Sequence, residues 1–197
     1  MKTTTINTFK FEELSTEIQA KLIKKEQDSE YCVFMGGFDN HCIQQIEESG
    51  FYANNKIELS YSFSCSQGDG LSFYATGFDK IRDVIAQLLP INKSKTVEVI
   101  YNACNFYMNN KNKRYSFASK SDIDFTLDVL EYDKYPNVQN TITQVRQDIE
   151  NIYIDLCKKL EKQGYSEIEY QRSDNYINDE LINQDYDYLE NGNIINL

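Results

Sequence analysis

The stretch Ile57–Phe78, IELSYSFSCSQGDGLSFYATGF, constrains the fold more than any other. Leu59, Tyr61 and Phe63 alternate with Ser60, Ser62 and Ser64. Period-two patterning in β-favouring residues predicts a strand with one buried face. Leu71, Phe73 and Ala75 repeat the pattern against Ser72, Tyr74 and Thr76. Between the two lies Ser66-Gln67-Gly68-Asp69-Gly70, where glycine supplies positive φ without steric cost and Asp69 can bond back to the backbone. The segment is therefore a β-hairpin. Its loop is either a plain connection or a small anion or metal site built from Asp69 and the glycine N–H groups. A phosphate loop leads into a helix, whereas here a strand follows.

Around this hairpin the chain reads as a mixture of helices and strands. Thr3–Phe11 has strand character. Ser15 stands at a helix N-cap, with Glu17 in the first turn, and the helix runs to about Gln27. Tyr31–Phe38 is a buried strand or part of a helix ended by Gly36-Gly37. Asp39 is the expected N-cap of a helix Asn40–Ser49, closed by Gly50. Gly77 ends the hairpin, and Asp79 caps Lys80–Leu89, where Ile81, Val84, Ile85 and Leu88 form one apolar stripe. Thr96–Met108 is apolar on both faces in places, which predicts a central strand. Tyr115–Leu130 returns as its partner after the polar turn Asn109–Arg114. Pro136 opens the longest helix, about 137–163, with Val138, Ile142, Val145, Ile149, Ile152, Leu156 and Leu160 on one face and Gly164 at its end. Glu167–Gln171 reads as a brief strand, Asp174 as the cap of a short helix to about Ile182, and Ile194-Ile195 as a last strand after a turn at Asn191-Gly192. No repeat or linker divides the chain. The expectation is a single α+β domain over 1–197, with an antiparallel sheet of two hairpins packed by several amphipathic helices.

Three groups of residues invite a chemical reading. Asp122, Asp124 and Asp128 share one face of the predicted second-hairpin strand. Neighbours two apart on a strand lie roughly 6.5–7 Å apart, so Asp122 and Asp124 can share a divalent ion, as carboxylates of metal-dependent hydrolases do. The same face is equally a solvent-facing sheet surface. His41 is the only histidine and stands beside Cys42. Adjacent helical residues point about 100° apart, so the two do not form a nucleophile–base dyad. Lys111, Lys113, Arg114 and Lys120, interleaved with Tyr107, Tyr115 and Phe117, form the only basic cluster. That pattern suits phosphate and base stacking, or an ordinary hairpin tip.

Charge narrows the functional classes. The net charge is −11, and Tyr165–Leu197 carries eight acids against one base, a net of −7. This disfavours direct nucleic-acid binding and suits a partner protein with a basic surface. Five cysteines fall at 32, 42, 65, 104 and 157 without CxxC spacing. This fits reduced, mostly buried thiols in a cytoplasmic protein. No apolar run approaches the ~18 residues of a membrane span, and the first residues lack a signal-peptide pattern. No cofactor motif is present: there is no P-loop, zinc spacing, dinucleotide fingerprint or catalytic triad.

Three segments carry a family resemblance. FKFEELSTEIQAKLIKK (Phe9–Lys25), SYSFSCSQGDGLSFYATG (Ser60–Gly77) and DYDYLENGNIIN (Asp185–Asn196) resemble the F-x-E-L-S helix start, the SQGDG hairpin and the acidic ending of a family of small bacteriophage and mobile-element proteins. Its members are often called hypothetical or antitoxin-like. Many carry a histidine soon after an Arg-Tyr pair, whereas here Arg114-Tyr115 is followed by Ser116-Phe117-Ala118. The resemblance implies a phage accessory protein in the bacterial host's cytoplasm. Together with the net charge of −11, it leads to the expectation of a non-enzymatic protein that binds and inhibits a host protein such as a CRISPR effector, an anti-defence or anti-CRISPR role. An antitoxin-like partner of a basic toxin and a metal-dependent hydrolase using Asp122, Asp124 and Asp128 are the alternatives. The expected partner-binding residues are Gln67 and Asp69 of the hairpin loop and Asp185, Asp187 and Glu190 of the acidic ending. No metal ligands or catalytic residues are assigned.

Overall fold

Serine hydroxyls start two of the helices. Ser15 accepts from the Ile18 N–H at the head of α1 (Thr16–Gln27), and Ser173 accepts from the Tyr176 N–H at the head of α6 (Asp174–Asn183). The structure, a computed structural model, describes residues 7–29, 36–64, 69–89, 94–110, 123–129 and 138–195. Its architecture is α+β, with six α-helices and three two-stranded antiparallel sheets among the described residues. The chain divides into two compact units: a smaller one from Met1–Val33 and Tyr165–Leu197, and a larger one, Phe34–Gly164.

The larger unit holds α2 (Gly36–Glu48), β1 (Phe51–Tyr52), β2 (Glu58–Ser62), β3 (Gly70–Tyr74), β4 (Gly77–Phe78), α3 (Ile81–Leu88), α4 (Ser94–Ala103), β5 (Cys104–Asn110) and β6 (Ile123–Val129). It also holds the residues of α5 (Val138–Gln171) up to Gly164. The SQGDG hairpin is present as β2 and β3, in the register Leu59 opposite Phe73 and Tyr61 opposite Leu71. β3 is buried on both faces, so Ser72 is covered along with Leu71 and Phe73. The second hairpin pairs β5 with β6, from Cys104 opposite Val129 to Asn110 opposite Ile123. Each hairpin is its own two-stranded sheet, and β1 and β4 form a third.

The core of this unit is aromatic. Phe51 meets Phe73 edge-on at 5.1 Å between centroids and Phe78 at 4.8 Å, and Phe73 lies 4.6 Å from Tyr153. α5 supplies the opposite wall with Ile142, Val145, Ile149, Tyr153, Leu156, Cys157 and Leu160. The expected stripe is thus buried at Ile142, Val145, Ile149, Leu156 and Leu160, while Ile152 is only partly covered. Tyr153 and Cys157 complete the stripe one turn apart. The Tyr153 hydroxyl donates to the Phe73 carbonyl at 3.2 Å and accepts from the Phe73 N–H at 3.3 Å. In an antiparallel strand one residue's N–H and C=O point the same way. A single phenol therefore satisfies both groups of Phe73.

In the smaller unit α1 and α6 enclose Phe11, Leu14, Ile177, Leu181 and Tyr188. Phe11–Glu13 forms a 3₁₀ turn. Gln19 clasps it by donating to the carbonyls of Phe11, Glu12 and Leu14 at 3.1–3.2 Å. Phe9 and Tyr188 exchange two backbone hydrogen bonds of 2.9 Å, which join the two ends of the chain's described part. The tail then turns at Leu189–Asn193 through Gly192, whose φ of 85° and whose approach to Ile18 both favour glycine.

Several sequence expectations are corrected. Phe9 forms an isolated bridge and Phe11 a 3₁₀ turn, where a strand over Thr3–Phe11 was expected; the residues before Asn7 lie outside those described. Gly36 and Gly37 begin α2 instead of ending a helix, and Asp39 stands inside its first turn. The N-cap of α3 is Lys80, one residue after Asp79. The hairpin pairing stops at Tyr74, and Gly77 beyond it pairs with Tyr52 in a separate ladder. Thr96–Met108 is not one strand: α4 fills its first part, burying Val97 and Ile100 at helical spacing, and β5 follows. Gly164 does not end the long helix, which continues to Gln171, so Glu167–Gln171 is helical. The final strand is a single bridge between Tyr188 and Ile194.

Candidate functional site

Asp69, at the base of the hairpin loop, is only 4% exposed. The Ser62 hydroxyl donates to its Oδ1 at 2.7 Å, and the Ser64 hydroxyl donates to the same oxygen at 3.0 Å. Ser62 at the end of β2 and Ser64 just beyond it thus hold the carboxylate that precedes Gly70, where φ is 143°. Glu161 on α5 lies within electrostatic reach. Its carboxyl is pushed above the ordinary value first by burial and then by the Asp69 charge. With its oxygen already accepting from two hydroxyls and a second carboxyl nearby, Asp69 makes the loop base a poor cradle for an anion. Gln67 lies outside the described residues.

The acidic ending has a different construction. The Lys10 ammonium contacts Asp185 Oδ1 and Asp187 Oδ1, each at 3.0 Å, and donates to the Asp185 carbonyl at 2.9 Å. These bonds to Asp185 and Asp187 hold the ammonium above its ordinary pKa. Asp185 has a φ of 52°, an aspartate in the left-handed region. Two of the three expected acids of the tail therefore clip it to the N-terminal segment. Glu190 stands exposed on the tail's final turn.

Where α5 passes into α6, two tyrosines meet. Tyr170 and Tyr176 have centroids 5.1 Å apart at 64°. Tyr170 is 58% exposed, the most open of the large apolar side chains described. Gln171 donates to Glu167 at 2.9 Å on the same helix. The Tyr176 hydroxyl is pushed up by burial first, then by Glu180 and Glu167. Sequence reasoning missed this corner because Glu167–Gln171 read as a strand, which separates Glu167 from Tyr170. Read as a helix, the same residues stack them one turn apart.

The remaining candidates carry no catalytic arrangement among the described residues. His41 is exposed, while its neighbour Cys42 is fully buried. Burial, aided by Asp39, pushes the Cys42 thiol up to about 12, and burial does the same for Cys157. Neither is a thiolate nucleophile near neutral pH. Asp39 instead accepts from the Tyr61 hydroxyl at 2.8 Å. No three His, Cys, Asp or Glu side chains converge to hold a metal among the described residues. Asp122 and the basic cluster Lys111, Lys113, Arg114 and Lys120 lie outside those residues, as do the side chains of Asp124 and Asp128. The backbone of β6 places Asp124 opposite Asn109 and Asp128 opposite Asn105. No described helix is long and apolar enough to cross a membrane. Comparison with known protein families, curated proteins and solved structures finds no match.

Proposed function

We propose that this is a non-enzymatic bacteriophage accessory protein that binds and inhibits a host protein through a basic surface of that protein. A nucleic-acid-handling defence complex of the CRISPR-effector kind has such a surface. The observation that supports the reading is where the charge lies. The smaller unit has fourteen acids against six bases, a net of −8; the larger has seventeen against fourteen, a net of −3. Exposed Tyr170, Tyr186 and Ile194 accompany the acids. Tyrosine is enriched at protein interfaces relative to the rest of the surface. Complementary charge speeds encounter with a basic groove and makes the complex sensitive to salt. The resemblance of the SQGDG hairpin and the acidic ending to phage proteins points to a host target.

The test is inhibition. The tagged chain is used to capture proteins from bacterial host lysate, and the captured protein is purified and assayed for its own activity with and without the chain. Dose-dependent loss of a nuclease or effector activity, relieved by salt, supports the reading. Rescue of growth from a basic toxin points to the antitoxin-like role instead. Full target activity at saturating chain overturns inhibition.

A further inference from the structure

We propose that the corner formed by Tyr170, Tyr176, Glu167 and Glu180 receives an arginine side chain of the basic partner. The proposal rests on the basic-partner reading above and names the contact within it. Glu167 stands three residues before Tyr170 on α5, and Glu180 four residues after Tyr176 on α6. Both spacings put a carboxylate on the same helix face as a ring. The rings touch edge to face at 5.1 Å, so the exposed Tyr170 ring is braced by its neighbour. The upward push of both glutamates on the Tyr176 hydroxyl agrees with their closeness to the rings. A planar guanidinium stacks on an aromatic face while its N–H fork reaches a carboxylate. An ammonium matches the charge but not the plane. Arg172 is the base nearest in sequence. Its carbonyl accepts from Gln27, and it takes part in none of the ion pairs among the described residues.

The test titrates the isotope-labelled full chain with peptides of alternating glycine and arginine, glycine and lysine, or glycine and glutamate, read by NMR. Arginine peptide shifts should centre on residues 167–180 and exceed those from lysine. Tyr170→Ala should weaken binding about two- to fivefold, the range of an exposed cation–π contact. Glu180→Gln should weaken it as well, while Tyr170→Phe, and Tyr101→Ala on the exposed surface of the larger unit, should not. An unchanged Tyr188 amide signal certifies that each variant is folded. Shifts spread over the unit and unmoved by Tyr170→Ala overturn the corner and leave the basic-partner reading standing. Equal binding of lysine and arginine overturns the guanidinium assignment. Absence of binding by either basic peptide overturns the corner, and the inhibition assay then judges the broader reading separately.

Discussion

Among the described residues each unit buries one tyrosine at its centre, and the two units treat the hydroxyl differently. Tyr153 and Tyr188 are both 1% exposed. Tyr153 spends its hydroxyl on both backbone groups of Phe73, eighty residues away in the chain. The Tyr188 hydroxyl finds no hydrogen-bond partner among the described residues; the work of holding the tail falls on its backbone, through Phe9. The same side chain is thus a polar fastener in one core and an apolar filler in the other. The contrast extends to the surfaces: the unit whose buried tyrosine hydroxyl has no partner among the described residues also has the greater net charge.

Removing either ring should produce the largest effect. Tyr153→Ala and Tyr188→Ala should each cost about 3–5 kcal/mol in urea unfolding, since both leave a large cavity. Removing only the hydroxyl should separate them. Tyr153→Phe should cost about 1–3 kcal/mol, because it removes the hydroxyl that bonds the buried N–H and C=O of Phe73. Tyr188→Phe should be neutral or stabilising by up to about 1 kcal/mol, because it deletes a buried polar atom that has no partner. Equal losses in the two Phe variants would break the comparison.

A smaller effect appears at alkaline pH. Burial, then the hydrogen bond to Asp39, pushes the Tyr61 phenol up to about 12. Burial, with lesser help from Tyr186 and Glu26, raises that of Tyr188. A raised phenol favours the neutral form in the folded state. The stability it contributes is complete below the ordinary value near 10 and is lost as pH rises through the folded value. Stability should therefore fall from about pH 10 upward, and Tyr61→Phe or Tyr188→Phe should each flatten that fall. An unchanged slope in both variants would remove the cause. Glu161 runs on the same sign rule at the acid end. Its raised carboxyl makes the charged form unfavourable, so Glu161→Gln should raise the Tm at neutral pH, with the gain vanishing below the carboxylate range. The smallest change should come from Lys10→Met. Its ion pairs are solvent-exposed, and such pairs add little. The expected result is a slight Tm decrease with faster amide exchange at Tyr188; unaltered exchange would show that the clip does not hold the tail.

What could be read from sequence followed how local its cause was. The Ser15 cap, the α3 stripe and the SQGDG hairpin depend on neighbours within a turn or a strand, and all three stand in the structure. Thr96–Met108 misled because Val97, Val99, Ile100 and Tyr101 are strand-favouring residues in a segment that buries only Val97 and Ile100 of the four. Gly164 misled because its purpose is tertiary: a Cβ there would fall 2.4 Å from the Phe63 ring, so glycine serves the approach and the helix continues. Asp69 was named for its loop, but its burial under two serines depends on packing. The clip on Asp185 and Asp187 comes from Lys10, 175 residues from Asp185, beyond any local pattern.

The functional claim is that partner binding depends on the acids of the smaller unit. Asp185 and Asp187 are poor probes, since altering them also releases Lys10. The direct measurement compares the affinity of the captured partner for two triple variants of the full chain. One reverses exposed Glu169, Asp179 and Glu190 of the smaller unit to lysine; the other reverses exposed Glu47, Glu58 and Asp155 of the larger. Both change the net charge equally. Loss of binding in the first with retention in the second is the predicted result. Equal loss in both, or none in the first, would contradict the assignment of binding to the acidic unit.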